Sequence, residues 1–178
     1  MSGRRKTKTP ILQPFGSLRP VRLGLTPETR SRSVRALNRL LAHAMALRDL
    51  YKKAHWQTSG ATFYGLHLMF DKHYEGQLEL IDSLAERVQL LGGVAFATAH
   101  DVVQETRLAR VTSSSETPLQ QLRELVDGHE FILGEARPLA REAAEHGDDG
   151  TNDIIVSEVI RTNELQAWFA GEHLVGND

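Results

Sequence analysis

His55, His67, Asp71, Asp82 and Glu86 lie within one stretch of the chain, and all five are residue types that ligate metal ions. His67 and Asp71 are four apart, and so are Asp82 and Glu86. Two imidazoles with three carboxylates make a hard, oxygen-rich donor set. Such a set suits Fe(II) and stabilises Fe(III) more, which favours oxidation; zinc or manganese fits the same donors. Glu86 is the expected bridging ligand, and Asp71 either bridges or supports one ion from behind.

These residues need a helix to position them. Thr62 to Leu91 contains no proline, and Phe63, Leu66, Phe70, Tyr74, Leu78, Ile81, Leu84, Ala85, Val88 and Leu91 recur at spacings of three and four. Residues four apart share one face of a helix, so each ligand pair can converge on a point. Asp71 and Asp82 are separated by about 16 Å of helical rise. Metal–ligand bonds measure only about 2 Å. One helix therefore cannot wrap both pairs around one ion, whereas two copies, antiparallel about a two-fold axis, can. Two-fold dimers are the commonest oligomers. His55 would come from the end of the preceding helix.

Ferritin-type di-iron sites inside a single bundle use Glu-x-x-His on two helices. None of the eight histidines here has Asp or Glu three residues before it. That absence also moves any metal chemistry to an interface between chains.

Several segments resemble the Dps family of mini-ferritins. Lys53 to Trp56 reads Lys-Ala-His-Trp, Phe63 to His67 reads Phe-Tyr-Gly-Leu-His, and Ile81 to Arg87 reads Ile-Asp-Ser-Leu-Ala-Glu-Arg. Phe70 to Glu75, Leu90 to Val94, Gly147 to Asp153 and Ala167 to Phe169 fit as well. The resemblance covers roughly Pro27 to Leu174. It implies an all-α, ferritin-like four-helix bundle with a short helix in the central crossover, assembling as a hollow spherical dodecamer. It implies that His55, His67 and Asp71 of one subunit, with Asp82 and Glu86 of its two-fold mate, oxidise Fe(II), preferably with hydrogen peroxide, and that ferric mineral is stored inside. Trp56 would pack near this site and give electrons to trapped oxidants. The alternative is a nucleoid-compacting DNA-binding protein whose interface metal, for example zinc, is mainly structural.

A chain of 178 residues, 40% hydrophobic, suits one helical domain. There is no cysteine, so neither a disulfide framework nor a thiolate metal site is encoded. No apolar run approaches the ~18 residues that span a bilayer. Arg4, Arg5 and Lys6 lead into polar residues rather than an apolar stretch, so a secretory signal is not expected. The expected location is the cytoplasm, beside the nucleoid if DNA is bound.

Charge divides the chain. Residues 1–26 hold Arg4, Arg5, Lys6, Lys8, Arg19 and Arg22 and no acid, while the net charge is −2. We read residues 1–26 as a basic, flexible tail, 27–174 as the bundle and 175–178 as a short C-terminal tail. The tail residues are candidate DNA contacts, acting on phosphates without reading bases. A solubilising tail, or one folded back on the acidic body, is the plainer reading.

Thr26 before Pro27 predicts a helix start, with the helix running to about Gln57. A short helix is expected over His100–Arg107. A third helix follows the Thr117 to Gln120 capping box and runs to about His146, kinked or divided at Pro138. The last runs from Thr151 to Glu172, with Ile154, Ile155, Val159, Ile160, Leu165, Trp168 and Phe169 as its apolar positions. Asp149 or Thr151 is expected to cap it. Asp148, Asp149 and Asp153 at this junction form an acidic cluster, usually a solvated turn. In a shell with three-fold axes it would line an iron-entry pore. His73 is expected on the surface.

Overall fold

The computed structural model describes residues 10–176. Among them there is no strand, and the long elements are α1 (Pro27–Gln57), α2 (Phe63–Leu90) and α4 (Pro118–Glu145), with α3 (Ala99–Glu105) in the crossover. The fourth long element is continuous but mixed: α5 (Asp149–Ile154), a π-helical segment (Ile155–Ile160) and α6 (Arg161–Glu172). α1 packs along α2 and α4, and α4 packs along α6. The short 58–62 connection turns α2 back against α1. None of the described helices is long and apolar enough to cross a membrane.

Helix starts follow local chemistry. Thr26, Thr98 and Thr117 each accept a backbone N–H through the side chain, and Pro27 and Pro118 occupy first-turn positions that have no need of an N–H. A full capping box forms at Thr98 with Asp101 and starts the short helix at Ala99, one residue before the expected His100. At Thr117 only half of the expected box forms, because the Gln120 amide turns forward to Glu124. Pro138 does not divide α4. Pro138 is exposed and the residue four before it is Gly134, also exposed, so no side chain crowds the ring and water can reach the freed carbonyl.

The core is apolar and continuous: Leu37, Leu41 and Leu47 of α1, Phe70 and Leu84 of α2, Leu125 and Ile132 of α4, and Ile155 of the last helix are all essentially buried. Each such side chain contributes roughly 1.5–3 kcal/mol by leaving water. The expected apolar stripe on the last helix is only half right. Leu165, Trp168 and Phe169 are exposed, and Asn163, Gln166 and Ala170 are buried in their place. The π turn accounts for this, because wider turns add about one residue and rotate everything downstream. Ala170, rather than Phe169, then falls beneath Ile155.

Buried polar groups join the helices. Asp148, not Asp149 or Thr151, is the cap of α5. Its carboxylate accepts from the hydroxyls of Ser33 and Thr151 (2.6 and 2.7 Å) and from the guanidinium of Arg87. Burial pushes its carboxyl up, but the hydrogen bonds from Ser33 and Thr151 and the charge of Arg87 outweigh this and hold it below the usual range.

His43 and His129 are both fully buried, and burial pushes each pKa down to about 4. Both are neutral in the fold and protonate near 6.5 when unfolded. The unfolded state therefore binds more protons as pH falls through 6.5, and stability is lost from there down to about pH 4. The expected loss is about 2 kcal/mol per histidine by pH 5, read as a drop in the urea midpoint between pH 7 and 5. His129→Gln should reduce that dependence by one histidine's share, leaving the part due to His43.

The N-terminal region is not a free tail throughout. Arg19 N–H donates to the Gly92 carbonyl (2.9 Å), as does the Gln13 amide (2.9 Å), and Phe15 stacks on Phe96 at 4.5 Å. Arg30 donates to the carbonyls of both Arg19 and Leu91. Residues 13–19 are thus strapped to the end of α2. Gly92 has φ +83, and a Cβ there would lie 2.6 Å from the Arg19 carbonyl, so the strap and the turn both require glycine.

Candidate metal centre

His55 lies in the last turn of α1 and His67 in the second turn of α2, across the short connection. Their rings stack with centroids 3.7 Å apart and an interplanar angle of 22°. Each Nδ1 sits 2.9 Å from the backbone carbonyl of the other residue. A carbonyl can only accept, so each Nδ1 carries the proton and each Nε2 carries a lone pair. The two rings therefore lock one another in the tautomer that a metal ion needs.

Asp71 follows His67 by one turn. Its Oδ1 accepts from Lys52 Nζ at 2.6 Å and lies 3.8 Å from His55 Nδ1. The Lys52 hydrogen bond is the main influence holding the Asp71 carboxyl below its ordinary range. Lys52 also lies 4.4 Å from the Tyr74 ring centroid. The Lys52 ammonium is thus the cation paired with Asp71. Lys52 stands one turn before His55 on α1, which brings it to Asp71.

Asp82 and Glu86 are exposed farther along α2. Among the described residues, no three metal-ligating side chains gather around one point within the chain. His55, His67 and Asp71 lie near one another at one end of α2, and Asp82 and Glu86 lie about 16 Å farther along the helix.

The face that carries both pairs sets exposed apolar residues among its acids. Tyr64, Leu68, Asp71, Glu75, Leu78, Asp82 and Glu86 follow one another at spacings of three or four, opposite the buried stripe of Leu66, Phe70, Leu84 and Val88. Leu68 is 50% exposed, and Trp56, beside His55, is 73% exposed. A helix with apolar residues on both faces is built to be covered on both.

Residues 34–176 match the ferritin-like domain family. The fold is also close to solved structures. DpsC from Streptomyces coelicolor superposes with a TM-score of 0.91 at 50% identity, covering 93% of this chain and 96% of that one. Dps from Thermosynechococcus elongatus superposes at 0.78 with 31% identity, covering 83% and 92%. The chain belongs to the Dps family of ferritin-like proteins. A nutrient stress-induced DNA-binding protein of Synechococcus is 29% identical over 158 residues, 89% of this chain and 90% of that protein.

Other candidate residues of this Dps chain are placed as follows. Asp149 and Asp153 are exposed at the start of α5, with Asp153 accepting from the Ser157 hydroxyl (2.9 Å). Asp148 is 1% exposed and held by Arg87, so it cannot line a pore surface. Arg19 is engaged through the Gln89 carbonyl (3.4 Å) and its own backbone, while Arg22 is exposed. Arg4, Arg5, Lys6 and Lys8 lie outside the described residues. His73, expected on the surface, is buried with His129 and Tyr51 in the bundle core.

Proposed function

We propose that this protein oxidises Fe(II) with hydrogen peroxide at sites completed across a two-fold dimer. Ferric mineral is then stored within a hollow dodecamer, which protects DNA from oxidative damage. The reciprocal lock of His55 and His67 carries this reading. It leaves both Nε2 atoms free for a metal ion one turn from Asp71, on a face whose exposed Tyr64, Leu68 and Leu78 call for a second chain. Asp82 and Glu86 of the mate would complete the donor set.

The chemistry balances simply. Two Fe(II), one hydrogen peroxide and two protons give two Fe(III) and two waters. The histidines hold Fe(II) through lone-pair nitrogens, and the carboxylates favour the ferric product. Lys52 must yield Asp71, wholly or at one oxygen, when the cation arrives. Zinc fits the same donors but is redox-inert, so it would block the reaction rather than carry it. Asp149 and Asp153 are the residues left to attract Fe(II) at a pore.

The test is anaerobic Fe(II) loading of the assembled protein, followed by peroxide, with ferric absorbance and peroxide consumption recorded. Oxidation faster than the protein-free rate, at one peroxide per two iron ions, supports the reading. A protein-free rate overturns it and moves DNA compaction with a structural metal to first place.

Dimerisation has its own check. Leu68→Asp should convert the assembly to smaller species in size-exclusion chromatography with light scattering, and iron oxidation should be lost with it. An intact assembly would show that this face is not the contact.

DNA contact, in a cytosolic, nucleoid-associated protein, would rest on Arg4, Arg5, Lys6 and Lys8, since residues 13–19 are strapped down. Multiplied over many subunits, a weak phosphate contact becomes avid. Removing residues 1–9 should abolish gel retardation of duplex DNA at low salt and spare iron oxidation. Unchanged retardation would sink the tail as the contact.

A further inference from the structure

The bundle interior, where ferritins with a within-chain site place their di-iron centre, holds a polar chain instead. Tyr51 Oη lies 2.5 Å from His129 Nε2 and 3.2 Å from His73 Nδ1. His129 Nδ1 lies 2.8 Å from Asn163 Oδ1, and Asn163 Nδ2 donates to the Val159 carbonyl at 2.7 Å. All four side chains are buried.

The proton positions follow from the far end. Asn163 Nδ2 donates to the Val159 carbonyl, which turns Oδ1 toward His129; an amide oxygen only accepts, so His129 Nδ1 donates. His129 Nε2 is then a lone pair, and Tyr51 donates its hydroxyl hydrogen to it. His73 Nδ1 donates to the Tyr51 oxygen from the other side. The tyrosine therefore faces a positioned base, and its oxygen receives a second hydrogen bond from His73 that fixes the ring's place in the chain. Packing alone does not require this. Phenylalanine would fill the volume without a hydroxyl to satisfy. Tyr51 also precedes His55 by one turn of α1, about 6 Å of rise.

We propose that Tyr51 is a redox-active tyrosine, with His129 as its proton acceptor, that gives an electron to one-electron oxidants formed at the neighbouring metal centre. The proposal rests on the iron reading above. A lone Fe(II) meeting hydrogen peroxide yields Fe(III), hydroxide and a hydroxyl radical. Tyr51 passes one electron to that radical, which becomes hydroxide, and passes its phenolic proton to His129 Nε2. The products are a neutral tyrosyl radical, an imidazolium and hydroxide, so charge and atoms balance. Burial pushes the phenol's pKa well above its ordinary value, so the proton leaves with the electron rather than before it. Burial also disfavours the imidazolium, which returns the proton when the radical is reduced.

Tyr64 and Tyr74 are the other tyrosines. In a Tyr64→Phe/Tyr74→Phe background, flash oxidation of the metal-free assembly with a ruthenium polypyridyl sensitiser and persulfate should give a tyrosyl radical by EPR. The signal should narrow when tyrosine is ring-deuterated and disappear in the added Tyr51→Phe. His129→Gln should slow its formation severalfold. With sub-stoichiometric Fe(II) and peroxide, the same radical should appear. Tyr51→Phe should then raise spin-trapped hydroxyl radical severalfold while leaving the ferric rate unchanged. Circular dichroism checks that each variant is folded, and ring-deuterated protein of natural sequence carries the test if none is. Fast ferric formation with no tyrosyl radical overturns this proposal and leaves the iron reading standing. A flash-generated Tyr51 radical with only protein-free iron oxidation supports the redox tyrosine and overturns the iron reading.

Discussion

Replacing both Asp82 and Glu86 by alanine is expected to reduce peroxide-driven Fe(II) oxidation to the protein-free rate while the assembly stays intact. Both side chains are exposed on α2, and neither has a structural partner whose loss would unfold the chain. Their removal leaves each site with His55, His67 and Asp71 only, and two of every five donors gone. A half-site of that kind neither brings two iron ions together nor favours the ferric state. Stopped-flow ferric absorbance reads the rate, and light scattering reads the assembly. Full activity in the double variant would place the chemistry elsewhere. Loss of assembly would instead mark the metal as structural. On the proposed reading the halves come from different chains, so mixing this variant with His55→Ala/His67→Ala protein and reassembling should restore a fraction of the sites.

The largest stability effect is expected at Arg87. Arg87→Leu leaves the Asp148 carboxylate, 1% exposed, without its cation. Breaking a buried pair on one side typically costs 3–5 kcal/mol, roughly, because the remaining charge is stranded. Urea unfolding should show that loss near neutral pH. The deficit should shrink with acid, since the stranded carboxylate can then protonate. In the natural chain the sign is opposite. Its Asp148 pKa is depressed, so the pair's contribution is complete above the unfolded carboxylate pKa and fades as pH falls below it. Asp148→Asn with Arg87→Leu should recover part of the loss, because the amide still accepts from Ser33 and Thr151. An Arg87→Leu protein as stable as the natural one would show that the carboxylate reaches water.

Much of the architecture was legible because it is local. The spacing of three and four in α2, the threonine–proline starts at Thr26 and Thr117, and the glycine pair closing α2 are properties of neighbours in the chain. Where local rules failed, a tertiary contact or an irregular turn had intervened. The stripe over Trp168 and Phe169 was read on an ideal period, and the π segment shifted it. His73 looked like a surface residue among Lys72 and Glu75, yet it faces the core.

By itself, the sequence determined that the His67/Asp71 and Asp82/Glu86 pairs share one helix and that the rise between them keeps both pairs from one ion within one chain. Periodicity and a fixed rise per residue suffice for that conclusion. Only the tertiary structure decided which groups meet across the chain. Tyr51 meets His129 from 78 residues away, Asp148 is sealed beneath Arg87 and Ser33, and residues 13–19 are strapped to Gly92. Such contacts depend on how helices pack and rotate against one another, and no local spacing encodes that.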